Sequence, residues 1–98
     1  MTGASSDRIV VHYNANSEKA ARQVAYLLDR AGFGESELRR MNLSVSSTNV
    51  RFFHEQNRDA AAAVAEIIRG AGGQSQLEDF TDYTPSPSVG TIEVWLRG

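Results

Sequence analysis

Two histidines are the first candidates for chemistry in this 98-residue chain. His12 lies in the stretch RIVVHY and His54 follows the stretch VRFF, so each comes at the end of a short β-branched or aromatic run. An imidazole can act as a general base or bind a metal ion, and two at matching positions suggest a zinc site or an acid–base pair. Whether they can act together depends on the elements that carry them.

An acidic stretch, LEDFTD, offers a second candidate in the side chains of Glu78, Asp79 and Asp82. Paired carboxylates can catalyse glycoside hydrolysis or bind calcium. The stretch lacks the glycine turn of a calcium-binding loop. We therefore interpret it as a solvated acidic edge of the domain.

Other catalytic motifs are missing from the sequence. The cluster GAGG at 70–73 follows a predicted helix, whereas a phosphate loop precedes one, so we interpret it as a helix end and turn. The chain has no cysteine, no G-x-S-x-G and no G-x-x-x-x-G-K-[ST]. We predict that the protein is not an enzyme and has no catalytic residue, no metal site and no cofactor.

The periodicity of apolar residues predicts the elements that position these side chains. Strands are predicted at Arg8–Tyr13, Leu38–Asn42, Val50–Phe53, SQLEDF and Thr91–Leu96, and helices at Ser17–Ala31 and Arg58–Arg69. The stretch TDYTPSPSVG is predicted to be a loop, because its two prolines lack the amide hydrogen that a strand ladder needs. We expect residues 1–7 to be a flexible leader and residues 8–98 to form a single α+β domain.

Two stretches of the chain share one layout of strand, histidine, asparagine-containing cap, alanine-rich helix and Ala-Gly stop. They are VVHYNANSEKAARQVAYLLDRAG and RFFHEQNRDAAAAVAEIIRGAG. Two such units predict a ferredoxin-like βαββαβ two-layer sandwich, with two helices on one face of a mostly antiparallel sheet. We expect the closing strand to be an extra C-terminal strand that joins an edge or replaces SQLEDF. The alternative is a three-layer parallel sheet, although two helices are few for covering both of its faces.

The predicted plan decides what the two histidines can do. In a ferredoxin-like sheet the strands that carry His12 and His54 are antiparallel neighbours, so their ends lie at opposite edges. At about 3.3 Å per residue, the two imidazoles would be more than ~10 Å apart, too far to share a zinc ion. Each histidine would then contact a helix-entry loop or face solvent. Only the parallel alternative would bring the two together.

The closing stretch GTIEVWLRG alternates, so Trp95 lies on the opposite face from Ile92, Val94 and Leu96. If the apolar side faces the helices, the helix-free face carries aromatic and charged residues, which are typical of recognition surfaces. We predict Trp95, Phe53, Arg51, His12 and Glu93 as ligand- or partner-binding residues. In the alternative, Trp95 packs beneath the loop DYTPSPS, with Tyr83 and the prolines over it.

Composition limits the partners. Hydrophobic residues make up 41% and charged residues 22% of the chain, which is ordinary for a soluble domain. The net charge of −2 gives no general attraction to nucleic acid or to an anionic membrane. The aromatic-rich pattern of RNA-recognition domains is missing, and no apolar run approaches the ~20 residues of a membrane helix. We therefore expect neither nucleic-acid binding nor membrane insertion.

The stretch RIVVHYNANSEKAARQVAYLLDRAGF resembles the opening of LytR C-terminal-type domains, and VRFFHEQNRDAAAAVAEIIRGAG resembles their second half. The two-unit plan is also similar to that of sporulation-related-repeat (SPOR) domains. Such membership implies a non-catalytic accessory domain at the bacterial cell envelope, near peptidoglycan or an envelope protein. The compartment stays open: periplasm or envelope if the chain comes from a larger exported protein, and cytoplasm otherwise.

From these observations we expect a non-catalytic binding module that recognises peptidoglycan or a protein partner through the helix-free face. The alternative is a self-assembly or scaffold-docking module, in which an edge strand or this face packs against copies of itself or a larger complex. Nucleic-acid binding and a histidine-dependent enzyme rank below both.

Overall fold

The computed structural model describes residues 7–98. The predicted leader, apart from Asp7, lies outside the described residues. The strands are β1 (Arg8–Tyr13), β2 (Glu37–Arg40), β3 (Asn49–Phe52), β4 (Gln76–Asp79) and β5 (Thr91–Trp95), and the helices are α1 (Glu18–Leu28) and α2 (Arg58–Gly70). All seven predicted elements are present, with bounds shifted by one to three residues at most ends. Within 7–98, no helix has the length and apolar character needed to cross a membrane.

Each helix begins after a single tight turn, at Ala15–Ser17 and at Glu55–Asn57. In the first unit, the Asn14 side chain accepts a hydrogen bond from the Asn16 amide and the Asn14 amide donates to the Ser17 hydroxyl, which is a capping box. Helix α1 is shorter than predicted, because the chain widens into a different turn at Asp29–Phe33. Gly32 in this turn has a φ of 99°, a conformation that favours glycine.

The strand order of the sheet is β2-β1-β5-β3-β4. Three of the four pairings are parallel, and only β3 and β5 are antiparallel. The predicted mostly antiparallel ferredoxin-like sheet is therefore wrong. In each unit the chain crosses over through its helix and pairs directly with the strand it left, which makes that pair parallel. The closing strand β5 fills the gap between the units, and it neither joins an edge nor replaces SQLEDF, which forms the edge strand β4.

Both helices lie on one face of the sheet, as predicted. Strands β1 and β3 run in opposite directions on either side of β5, so a two-fold axis through β5 roughly relates the units. Right-handed crossovers then bring both helices to the same side. The three-layer alternative is therefore wrong as well. The core between the layers is formed by Ile9, Val11, Val50, Phe52, Ile92, Val94 and Leu96 from the sheet side and Ala21, Val24, Leu28, Ala61, Val64, Ala65 and Ile68 from the helices.

Candidate functional site

The register of the strands places the predicted binding residues on the helix-free face. His12 on β1 is paired with Trp95 on β5, and Glu93 on β5 is paired with Arg51 on β3. Phe53 follows Arg51 by two residues and therefore points to the same side. His12, Arg51, Glu93 and Trp95 lie together at the centre of this face, and Phe53 lies just beyond the end of β3.

A row of stacked side chains crosses this face. The Trp95 indole is stacked on the His12 imidazole, with ring centroids 4.0 Å apart and planes 12° from parallel. The guanidinium carbon of Arg51 lies 4.5 Å from the Trp95 ring centroid and 4.7 Å from the Phe80 ring centroid. We call His12, Trp95, Arg51 and Phe80 the aromatic–arginine row. Because β1 and β3 flank β5, the imidazole and the guanidinium approach the indole from opposite sides.

Phe80 is a member of the row that the sequence analysis missed. Its amide donates to the Phe52 carbonyl at 2.9 Å, so the chain continues the β4 ladder by one residue. Glu78 is paired with Arg51, and Phe80, two residues later, therefore points to the same face. The signal was present in the alternation of QLEDF, where an aromatic residue follows Glu78 by two positions.

Phe53 is buried, with only 4% of its surface exposed. Its ring packs edge-on against Phe80 at 5.7 Å and Tyr83 at 6.0 Å, so the segment after β4 covers it. In the alternative interpretation Tyr83 would lie over Trp95, whereas its ring contacts are with Phe53 and Phe80. Trp95 therefore keeps part of its indole exposed, while Phe53 supports the surface from below.

Glu93 fixes the orientation of the indole. The Trp95 Nε1 donates a hydrogen bond to the Glu93 Oε1 at 2.9 Å. The same oxygen lies 3.8 Å from the His12 Nε2. One carboxylate therefore lies beside both rings at the centre of the face, which explains why an acidic residue occupies this position of a central strand.

His12 is 5% exposed, and neither of its ring nitrogens has a hydrogen-bond partner among residues 7–98. Burial lowers the pKa of the imidazole below its ordinary value of 6.5, because a charged ring is poorly solvated there. The carboxylate of Glu93 opposes this shift, the guanidinium groups of Arg39 and Arg51 add to it, and Glu37 opposes it more weakly. At neutral pH the row therefore contains an uncharged imidazole.

The Arg51 guanidinium is held in place by contacts other than an ion pair. Its Nε donates to the Asn49 Oδ1 at 2.7 Å, and the two rings of the row cover its planar faces. Its register partners are both glutamates, Glu93 and Glu78, yet the guanidinium forms no ion pair within 4.0 Å in the described part of the chain. The two terminal nitrogens form no hydrogen bond to another residue within 7–98, so they keep their capacity to donate.

Of the other candidate residues, Glu78 lies beside Arg51 on this face, and His54 and Asp79 lie elsewhere. His54 lies beyond the end of β3 that pairs with Ile92, whereas His12 pairs with Trp95 at the other end of β5. The two histidines are therefore at opposite ends of the strands. His54 Nε2 donates a hydrogen bond to the Pro87 carbonyl at 2.8 Å, which attaches the loop before β5 to the end of β3. Asp79 accepts hydrogen bonds from Thr81. No group of three or more metal-ligating side chains converges within 7–98.

The fold and this face define the class of the protein, a small α+β domain with both helices on one side of a mixed five-stranded sheet. The chain is similar to the C-terminal domain of Rv0431, a mycobacterial protein whose solution structure is known, with a TM-score of 0.63 and 23% sequence identity. The match covers 100% of this chain and 77% of that chain, and it shows a shared fold. No known family model and no curated protein sequence matches the chain.

Proposed function

We propose that this domain is a non-catalytic binding module that recognises a protein partner through its helix-free face. The observation that carries this proposal is the aromatic–arginine row, a continuous set of contacts in which Trp95, Arg51 and Phe80 are partly exposed above the buried His12. Tryptophan, tyrosine and arginine are the residues that dominate binding energy in protein interfaces. Tyr83, half exposed beside Phe80, extends the same surface.

The geometry of the row favours a protein over a glycan. A sugar ring binds tryptophan by stacking on a free face of the indole. His12 and Arg51 lie on opposite sides of the Trp95 ring, so a sugar would first have to displace one of them. Trp95 and Arg51 are both partly exposed, so their remaining surface is available to a partner. A guanidinium with fixed orientation suits the carboxylate or carbonyl groups of a protein surface.

The setting of the domain is part of the same proposal. The resemblance to LytR C-terminal-type and SPOR-type domains favours an accessory domain of a bacterial envelope protein, and the fold shared with a mycobacterial C-terminal domain supports a bacterial setting. Peptidoglycan and a second copy of the chain are the competing occupants of the face. A test must therefore separate three results: a protein adduct, glycan binding and self-assembly.

Photo-crosslinking from two matched tyrosine positions provides this test. Benzoylphenylalanine is placed at Tyr83, 53% exposed beside the row, and at Tyr26, 60% exposed on α1. We expect a heteromeric adduct from position 83 that is absent from position 26 and is lost when Arg51→Gln is added. Equal adducts from both positions would contradict the proposal. An adduct of twice the chain mass would indicate self-assembly.

Sedimentation with bacterial sacculi tests the glycan alternative on the same variants. We expect no co-sedimentation that depends on Trp95. If the wild-type domain sediments with sacculi and a folded Trp95→Ala variant does not, the face binds peptidoglycan and the protein-partner proposal is wrong.

A further inference from the structure

A polar cleft of about 640 Å³ opens at the end of the sheet where β3 and β4 begin. Its walls are formed by the segments before these two strands, by the end of α2 and by Arg97, which lies shortly after β5. It shares no residue with the aromatic–arginine row. The volume is within the range of about 300–1,000 Å³ that small-molecule sites occupy.

The walls expose polar and apolar atoms in similar amounts, and the polar side chains are of only a few chemical kinds. The lining side chains are hydroxyls, primary amides and guanidinium groups, including Ser46, Ser47, Gln74, Gln76, Arg69 and Arg97. None of the lining residues carries a carboxylate, and none has a large apolar side chain. The chain as a whole has a net charge of −2, whereas the lining of this cleft contains two arginines and no acid; Glu66, which pairs with Arg69, lies outside the lining. Such walls attract an anion and offer hydrogen bonds to hydroxyl groups.

The two arginines are available to different degrees. The Arg97 side chain has no ion pair or hydrogen bond to any residue within 7–98, while its backbone amide donates to the Thr48 hydroxyl at 3.0 Å. The Arg69 guanidinium is fixed by the Ser75 carbonyl at 3.2 Å and by Glu66 at 2.7 Å, which leaves its second terminal nitrogen unengaged. The Arg97 guanidinium is therefore free to move onto a ligand, whereas the Arg69 guanidinium is held at the wall of the cleft.

The wall behind Arg69 is attached to α2 by a buried hydrogen bond. The Ser75 hydroxyl is buried and donates to the Ala65 carbonyl at 2.9 Å, which attaches the segment before β4 to α2. Four exposed residues line the rest of the cleft, and their side chains form no hydrogen bond to another residue within 7–98. They are Ser46, Ser47, Gln74 and Gln76. A fixed floor with adaptable polar side chains around it is suited to a small polar ligand.

We propose that this cleft binds a small anionic ligand rich in hydroxyl groups, of the sugar phosphate or sugar carboxylate class. Arg97 and Arg69 hold the oxyanion by charge-assisted hydrogen bonds. The serine hydroxyls and glutamine amides meet the ligand hydroxyls. This site is independent of the proposed protein-binding face, and either can be wrong without the other.

Amide chemical shifts of the 15N-labelled domain test the proposal with four probes, which are glucose 6-phosphate, glucuronate, glucose and inorganic phosphate. We expect saturable shifts at residues 46–48, 73–76 and 97 with glucose 6-phosphate or glucuronate, and at least tenfold weaker binding of glucose and of inorganic phosphate. The phosphate and carboxylate arms separate the two ligand classes.

Two arginine substitutions supply the matched comparison. Arg97→Gln removes one charge-assisted contact and should weaken binding about tenfold. Arg22→Gln makes the same charge change on the outer surface of α1, where Arg22 pairs with Glu18, and should leave binding unchanged. No saturable shift with any probe, equal losses in both variants, or equal binding of inorganic phosphate and glucose 6-phosphate would each overturn the proposal.

Discussion

The two faces of the sheet bury their central side chains by different means, and neighbouring valines of β1 show the contrast. Val11 points to the helices and is fully buried among aliphatic side chains. Val10 points to the face without helices, yet only 3% of its surface is exposed. Its cross-strand neighbours are Glu37 and Glu93, so long charged side chains of the sheet itself flank it.

This difference shows how a domain of two layers can shield its second face and still present polar groups. On the helix side, shape complementarity between layers excludes water. On the other side, the rings and the guanidinium of the aromatic–arginine row cover the sheet, and Trp95, Arg51 and Phe80 remain partly exposed while His12 is buried. Such a cover can exchange contacts with water for contacts with a partner without opening the core.

Alanine substitution of the two valines should give the largest measurable contrast. We expect Val11→Ala to lower the free energy of unfolding by about 2–3 kcal/mol, because it removes two methyl groups from a close-packed layer and leaves a cavity. Val10→Ala should cost about 1 kcal/mol, because the long side chains above it can settle into the space. Urea denaturation monitored by circular dichroism measures both.

The substitutions at Val10 and Val11 serve as controls for each other. The two residues are adjacent in one strand and undergo the same chemical change, so any loss of β-propensity is common to both. Equal costs would mean that the helix-free face is packed as closely as the helix-covered face, and the distinction between the faces would fail.

A substitution in the row itself should have the next largest effect. Trp95→Ala removes the stacked contact with His12 and the contact with Arg51, and should lower the free energy of unfolding by about 1–2 kcal/mol. Water then reaches the imidazole, so the pKa of His12 should rise towards 6.5. Chemical denaturation and an NMR titration of His12 measure the two effects.

Tyr26→Ala provides the reference for this experiment. Tyr26 is exposed on α1, where its ring lies 5.9 Å from the Arg30 guanidinium, so it also contacts an arginine but lies outside the row. It should change neither the stability nor the His12 titration appreciably. If Trp95→Ala behaves like Tyr26→Ala, the indole does not shield this face.

The contrast between the faces also explains what could be predicted from the sequence. Alternation assigns each side chain of a strand to one of two faces, whatever the order of the strands. For this reason His12, Arg51, Glu93 and Trp95 were grouped correctly although the predicted topology was wrong. The strand order depends on which distant segments pair, and the alternation of TIEVW is the same at the centre of a sheet as at its edge.

Local sequence patterns also could not predict which side chains are covered by loops. Phe53 was predicted as a contact residue from its face alone, and its burial comes from Phe80 and Tyr83, more than twenty residues further along the chain. The polar cleft was missed for the same reason. Its arginines, Arg69 and Arg97, are far apart in sequence and line the same cleft because β5 lies beside β3.

The smallest predicted effect is a dependence of stability on pH that comes from His12. Its pKa is lowered in the folded protein relative to 6.5. Between these two values the unfolded chain binds more protons than the folded one, so the free energy of unfolding increases with pH in this window. Stability should be unaffected by His12 above pH 6.5, decline as the pH falls towards the folded pKa, and level off below it. The slope is at most about 1.4 kcal/mol per pH unit.

Urea denaturation between about pH 5 and 8 measures this dependence, with His12→Phe as the comparison. Phenylalanine keeps a ring against Trp95 but cannot be protonated, so the variant should lose the decline below pH 6.5 and retain the rest of the profile. A decline that persists in His12→Phe would assign the effect to other groups. A wild-type profile that is flat in this window would mean that water already solvates the imidazole, and that the aromatic–arginine row does not exclude water from its face as the helices do from theirs.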